Sequence, residues 1–320
     1  MTQQATNTVA MVKPTEFNLD LDGITDNFFI KANKGKADKA TLDRVWQEFN
    51  GLVKALKDHG IRVKVYDSPR GAPDAIFPNN WISVHWETIL PAIVLYPMKA
   101  PKRRLERQSQ ILIDLLLHPP VGPALETIDL TEFERGHYYL ESTGSLVLDR
   151  VNLIAYYTES ERTHPELAPI WAEKLNYKYC AFKAKDEKGR PIYHTNILMA
   201  LGQSFAILCL EAIPDPKDKK YVTEALTLDS HREIIEITMA QMKAYCGNCL
   251  QLCNQEGKLV LFLSKTAYNA FTPQQRALLS KHNDGGLVAV DYETVENLRG
   301  GSVRCSLLEL FPRCYGPSAL

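Results

Sequence analysis

The chain has 320 residues, 45% of them hydrophobic and 23% charged, which excludes a disordered tail, a collagen and a disulfide-dense mini-scaffold. Lys and Arg number 37 against 38 Asp and Glu, a net charge of −1, and that balance argues against a binder of nucleic acid or another polyanion. Seven cysteines, an odd number over a long chain, do not read as an oxidised framework, and no stretch approaches the roughly 20 apolar residues of a membrane span. The polar start, Met1 to Ala10, lacks the apolar core of a signal peptide, so a cytoplasmic setting with free thiols is expected.

Leu42, Val45, Trp46, Phe49, Leu52, Val53 and Leu56 follow the three-and-four spacing of a helix over Asp38 to His59, stopped by Gly60. Ile61, Val63 and Val65 then alternate as a strand. Two further strands are expected at Trp81 to Trp86 and Ile89 to Tyr96, followed by a helix from about Lys102 to His118 with Leu105 on its apolar side. A hairpin reads across Asp149-Arg150, joining Leu146–Leu148 to Leu153–Tyr157. After it come a helix over Pro165 to Lys174 and a strand at Tyr179 to Phe182. A third round has Ile197 to Leu201, Phe205 to Ile213, a long helix over Ser230 to Ala244 and Leu250 to Leu252, with Glu211 to Lys220 as a surface loop. A fourth has Leu259 to Leu263, a helix near Pro273 to Ser280 and Leu287 to Val290. The opening helix and strand, with a terminal strand over Ser302 to Leu310, would complete a fifth unit.

Strand, strand, helix, strand thus recurs at intervals of roughly 50 to 65 residues, without sequence identity between rounds. Pattern alone fits an ordinary mixed α/β sheet at least as well. No Ser- or Gly-rich linker divides the chain, and residues 1–320 read as one domain.

Four segments stand out, each just ahead of the first strand of its unit: Phe77-Pro78-Asn79-Asn80-Trp81, Leu140-Glu141-Ser142-Thr143-Gly144, Tyr193-His194-Thr195-Asn196 and Gly300-Gly301-Ser302-Val303-Arg304-Cys305. A ring of units would bring them to one end of the fold and make one pocket. Cys305 offers a nucleophile, His194 a proton carrier near neutral pH, and Glu141 a carboxylate to orient it. The two glycines would let the backbone approach a ligand. Each residue alone has a plainer reading as a buried thiol, a core imidazole or a solvated carboxylate. On an alternating strand Arg304 would face away from Cys305, and a salt-bridged structural role suits it as well. Cys246, Cys249 and Cys253 have zinc-like spacing at one end only, so buried thiols are expected there and no metal. Trp81 and Trp86 read as packing residues.

These segments, in this order, resemble those of the guanidino-group-modifying enzymes, which include arginine deiminase, dimethylarginine dimethylaminohydrolase, agmatine deiminase and glycine amidinotransferase. Leu140-Glu141 with its small turn resembles the family's Leu-Glu-Gly-Gly segment, and His194-Thr195-Asn196 its His-x-Asp segment. Gly300 to Cys305 is similar to its Gly-Gly-x-x-Cys segment, and Ser160-Glu161-Arg162-Thr163 to its Ser-Glu-Arg-Thr segment. Phe77 to Asn80 matches its Phe-x-x-Asp segment. The resemblance implies a five-bladed α/β propeller (pentein) with pseudo-fivefold symmetry. It implies Cys305, His194 and Glu141 as catalytic residues, with Asn80, Asn196, Arg162, Phe77 and Asn79 on the substrate. It also implies a small guanidino or ureido amino acid as partner, and no cofactor.

Asn80 and Asn196 stand where the family carries Asp, and Phe-Pro-Asn-Asn-Trp with Glu-Ser-Thr-Gly and His-Thr-Asn is closest to a bacterial citrulline-utilisation branch. Two neutral amides at clamp positions suit an uncharged ureido group better than a guanidinium. The rival readings are an amidinotransferase and a non-catalytic binding protein on the same fold. The oligomeric state is left open, a homodimer among the options, and Asn27 is a further candidate for the pocket.

Overall fold

The side chain of Asp38 accepts a hydrogen bond from Thr41 N and opens a helix over Lys39–Asp58, whose Val45, Phe49, Leu52 and Leu56 are buried. Burial of such side chains contributes about 1.5–3 kcal/mol each. Gly60, at φ +78°, then turns the chain into the strand Arg62–Tyr66. A computed structural model of the protein describes residues 3–14, 18–19, 35–36, 38–72, 74–88, 91–117 and 126–311. Asn27 lies outside the described residues.

Five three-stranded sheets make up the frame. In each, an antiparallel pair is extended by a parallel strand that returns after a helical crossover. The first sheet pairs Leu308–Leu310 antiparallel with Thr8–Val12, which pairs parallel with Arg62–Tyr66. The second runs Ile82–His85, Ala92–Leu95, Glu126–Asp129, and the third Val147–Asp149, Ile154–Thr158, Lys178–Phe182. The fourth runs Met199–Leu201, Phe205–Leu208, Glu233–Glu236, and the fifth Leu250–Cys253, Leu259–Ser264, Gly286–Val290. The C-terminal strand therefore completes the sheet begun at the N-terminus, as the sequence pattern anticipates.

Five expectations are corrected. The helix expected over 230–244 is instead the strand Glu233–Glu236 followed by a single helical turn, Met239–Lys243. The β-branched Ile234 and Ile235 pair in register with Ala206 and Ile207, where a pleated sheet accommodates them better than a helix does. The helix of that unit is Pro216–Glu224, inside the stretch read as a loop. Asp215 caps it through Lys217 N and Pro216 occupies the first turn, so the proline starts the helix rather than breaking it. Leu250–Cys253 accordingly opens the fifth sheet instead of closing the fourth.

The helix expected over 102–118 is interrupted. A 3₁₀ segment, Pro101–Glu106, precedes the helix Ser109–Leu117, and Leu105 is exposed while Arg103 and Glu106 are buried. Cys305 lies in a 3₁₀ turn, Val303–Ser306, and the strand begins only at Leu308. Arg304 does have the structural role, donating to Glu309 at 2.7 Å.

Candidate active site

Each sheet's first strand is preceded by a short loop or turn, and the five meet through side chains. Asn79 Nδ2 donates to Thr143 Oγ1 at 3.2 Å, and Asn196 Nδ2 donates to the Thr143 carbonyl at 3.2 Å. Asn248 Nδ2 donates to the Asn196 carbonyl at 2.9 Å and to Cys305 Sγ at 3.2 Å. A Cβ added to Gly301 would sit 2.8 Å from the Phe77 ring, which closes the circle back to the first segment. The four segments singled out in the sequence are thus brought together. A fifth, carrying Asn248, was read only as part of a cysteine cluster. Its signal was positional, since it also precedes the first strand of a unit.

Cys305 is 5% exposed. Burial pushes its thiol up, while the Asn248 amide, the Ser302 backbone, Arg304 and Asn196 pull the other way. Asn196 Nδ2 stands 3.7 Å from the sulfur, and Asn248 Oδ1 accepts from the Cys305 amide N at 3.4 Å. One asparagine therefore grips both the backbone and the sulfur of the turn that carries Cys305. Gly300, at φ +64°, ends the helix Glu293–Arg299, and Gly301 makes room for Phe77. The two glycines serve chain reversal and packing.

His194 Nε2 lies 2.8 Å from Glu141 Oε2. Burial lowers the His194 pKa, with Glu141 opposing and Arg162 and Arg103 assisting. Burial penalises the charged form of Glu141, but the Arg162 guanidinium, His194 and Arg103 outweigh it. Its carboxyl is held well below the usual carboxylate range. With Nε2 engaged by Glu141, the other ring nitrogen, Nδ1, lies on the opposite edge. That edge borders Gly144: a Cβ there would meet Asn80 Nδ2 at 2.3 Å, His194 Cε1 at 2.8 Å and His194 Nδ1 at 2.9 Å. Glycine at 144 is what lets the imidazole and the Asn80 amide share one space.

Arg162 is 3% exposed, 3.4 Å from Glu141 Oε2, with its guanidinium 4.8 Å from the centre of the Tyr193 ring. Arg103, which drew no notice in the sequence, is as central. It reaches Glu141 at 3.4 Å, Asn80 Oδ1 at 2.9 Å and both oxygens of Glu106, at 2.7 and 3.0 Å. Asp74 lies 3.9 Å from Arg103 and 3.5 Å from Arg299. The carboxylates Asp74, Glu106 and Glu141 are thus matched by the guanidiniums Arg103, Arg162 and Arg299. Asn79 Oδ1 and Asn80 Nδ2 are buried without a hydrogen-bond partner among the described residues.

Among the described residues no three His, Cys, Asp or Glu side chains cluster as metal ligands, and no helix is long and apolar enough to cross a membrane. Cys180, Cys209, Cys246, Cys249 and Cys305 are free thiols. Burial pushes the thiols of Cys246 and Cys249 up, the latter to about 12, so both sit as inert packing groups.

The family model described as N,N dimethylarginine dimethylhydrolase, eukaryotic, matches residues 13–312. No curated protein matches the chain. Among solved structures it resembles apo ArgZ, an arginine dihydrolase from the ornithine-ammonia cycle in cyanobacteria, with a TM-score of 0.72 at 14% identity. The match covers 96% of this chain and 41% of that one, so the chain spans about two fifths of that protein's length. It also resembles the N-terminal domain of an ArgZ variant covalently bound to a reaction intermediate, at TM-score 0.71 and 15% identity, covering 95% and 97% of the two chains. A dimethylarginine dimethylaminohydrolase variant, in adduct with S-methyl-L-thiocitrulline, is similar at TM-score 0.62 and 16% identity, covering 96% and 99%. These likenesses place the chain in the mixed α/β fold of the pentein structures.

Proposed function

The chain belongs to the N,N dimethylarginine dimethylhydrolase family of guanidino-group-modifying proteins, and from that premise we propose that it is a hydrolase cleaving a C–N bond of a small guanidino or ureido amino acid through a covalent cysteine intermediate. The observation that carries the reading is the convergence of His194, braced by Glu141, with Cys305, gripped by Asn248 and Asn196, on one ring of loops. That ring, with five alike sheets, supports a five-bladed propeller in a single domain.

Cys305 Sγ attacks the central carbon as its proton leaves toward His194. His194 Nδ1 protonates the departing amine, and the carbon stays bound to sulfur. His194 then takes a proton from water, the hydroxide adds to the carbon, and the C–S bond breaks as His194 returns that proton to the sulfur. Glu141 fixes the imidazole and stabilises it when protonated. Arg162 pairs with the α-carboxylate, while Asn80, Asn196, Asn79 and Phe77 shape the reacting end of the pocket.

The preferred substrate is a neutral ureido compound of the citrulline type. A guanidinium is best held by a surplus carboxylate, and here Asp74, Glu106 and Glu141 are each already matched by an arginine. Incubation with citrulline, arginine, methylated arginines and agmatine, reading ammonia release and product mass, tests this. Turnover of citrulline with Cys305 alkylated faster than the other cysteines is expected. No turnover of any compound together with an unreactive Cys305 would mean a binding protein.

A further inference from the structure

Asn80 is 2% exposed, and its two amide atoms have different fates. Oδ1 accepts from Arg103 Nη2 at 2.9 Å. A guanidinium has no acceptor atom, so the opposite orientation of the amide would set N–H against N–H. The orientation is therefore dictated by Arg103, and Arg103 is in turn clamped by both oxygens of Glu106. The consequence falls on the other atom. Nδ2 is buried without a hydrogen-bond partner among the described residues, and it packs over Gly144 beside the Nδ1 edge of His194.

A buried donor left unsatisfied is costly, and it is relieved only by an acceptor. A guanidinium consists of N–H donors and offers none. A ureido group offers its carbonyl oxygen, and that oxygen gathers charge when a thiolate adds to the carbon. We propose that Arg103 is a specificity-determining positioning residue, which locks Asn80 with its NH₂ toward the reacting centre and so selects a substrate whose central carbon carries oxygen rather than a third nitrogen. This inference rests on the hydrolase reading above and adds to it the atom that discriminates.

The test compares kcat/KM for citrulline and arginine in the wild type and in the double variant Arg103→Gln, Glu106→Gln. The double variant removes the guanidinium together with its carboxyl partner and puts at 103 a side chain that can accept as well as donate. The wild type is expected to favour citrulline at least tenfold, and the double variant to lose about tenfold of that ratio, equivalent to one hydrogen bond. Asn80→Ser, which removes the amide, should lower the ratio similarly and serves if the double variant does not fold. A wild type that prefers arginine, or an unchanged ratio in whichever variant folds, overturns the proposal. Calorimetric binding of both compounds to Cys305→Ala separates the two claims. Absence of turnover with citrulline still binding more tightly than arginine defeats the hydrolase reading and spares this one. Tighter binding of arginine defeats this one.

Discussion

Asn248 and Cys305, 57 residues apart in the chain, are joined twice: the asparagine amide donates to the cysteine sulfur at 3.2 Å and accepts from the cysteine backbone N at 3.4 Å. A donor on sulfur favours the thiolate. Asn248→Ala should therefore raise the Cys305 pKa by about one unit and slow iodoacetamide alkylation near neutral pH about tenfold. Asn248→Asp, which sets a carboxylate beside the sulfur, should slow it further. Alkylation rates that do not change in either variant would reduce Asn248 to a packing residue.

Cys305→Ala should abolish turnover, by more than ~10³-fold, with little change in thermal stability, because the side chain contributes chemistry more than packing. Combined with His194→Ala it should be scarcely worse than the poorer single variant, because the proposed mechanism has both serve one covalent step. Losses that multiply would assign the two residues to separate steps.

Gly144→Ala would press a methyl group into Asn80 Nδ2 and the His194 ring. A shift of about 1 Å in that imidazole is worth roughly 10² in rate, and the forced repacking about 1–3 kcal/mol in stability. Steady-state kinetics and thermal melts read both. Full activity in Gly144→Ala would show that the two side chains do not share the space.

Glu141→Gln removes the charge that Arg103, Arg162 and His194 all face. Breaking a buried ion pair on one side costs about 3–5 kcal/mol. The melting temperature should fall by several degrees and the rate by three orders of magnitude or more, on the order of losses seen when an orienting carboxylate is removed. A variant with wild-type stability would mean that the arginines are satisfied elsewhere.

The pair also predicts a pH dependence of stability. His194 sits below its ordinary value of 6.5 because it is buried, and Glu141 sits well below the carboxylate range. Both groups bind protons more readily in the unfolded chain, so their own contribution to stability is fullest above pH ~6.5 and declines on acidification, whereas Glu106, whose carboxyl burial raises to about 7, contributes with the opposite sign. The imidazole accounts for the first part of the decline and the carboxyl for the part through pH ~4. Melting temperatures across pH 7.5 to 4.5 check this, and His194→Gln should flatten the upper part. A His194→Gln variant whose stability changes with pH as the wild type's does above pH ~5.5 would remove the imidazole from this account.

The hairpins and the opening helix were legible because their periodicities are local. Val45, Phe49, Leu52 and Leu56 are buried on one stripe, as the spacing requires. Glu233–Glu236 was not legible, because Ile234, Ile235 and Ile237 sit at intervals a helix could also use, and only pairing with Phe205–Leu208 settles them. Pro216 misled for a related reason: the same residue that ends a helix in its interior begins one at its first turn.

For the site, the sequence by itself determined the candidate side chains and the order of the segments that carry them, because thiol, imidazole and carboxylate are named by residue type. It could not determine which donor meets which acceptor. Arg103 against Asn80, Asn248 against Cys305, and Asp74 matched to Arg299 all join segments that are distant along the chain. Such pairings exist only once the sheets have set the loops side by side. Hydrogen bonds and ion pairs act over a few ångströms, so the protonation of Glu141 and the orientation of the Asn80 amide belong to the tertiary structure.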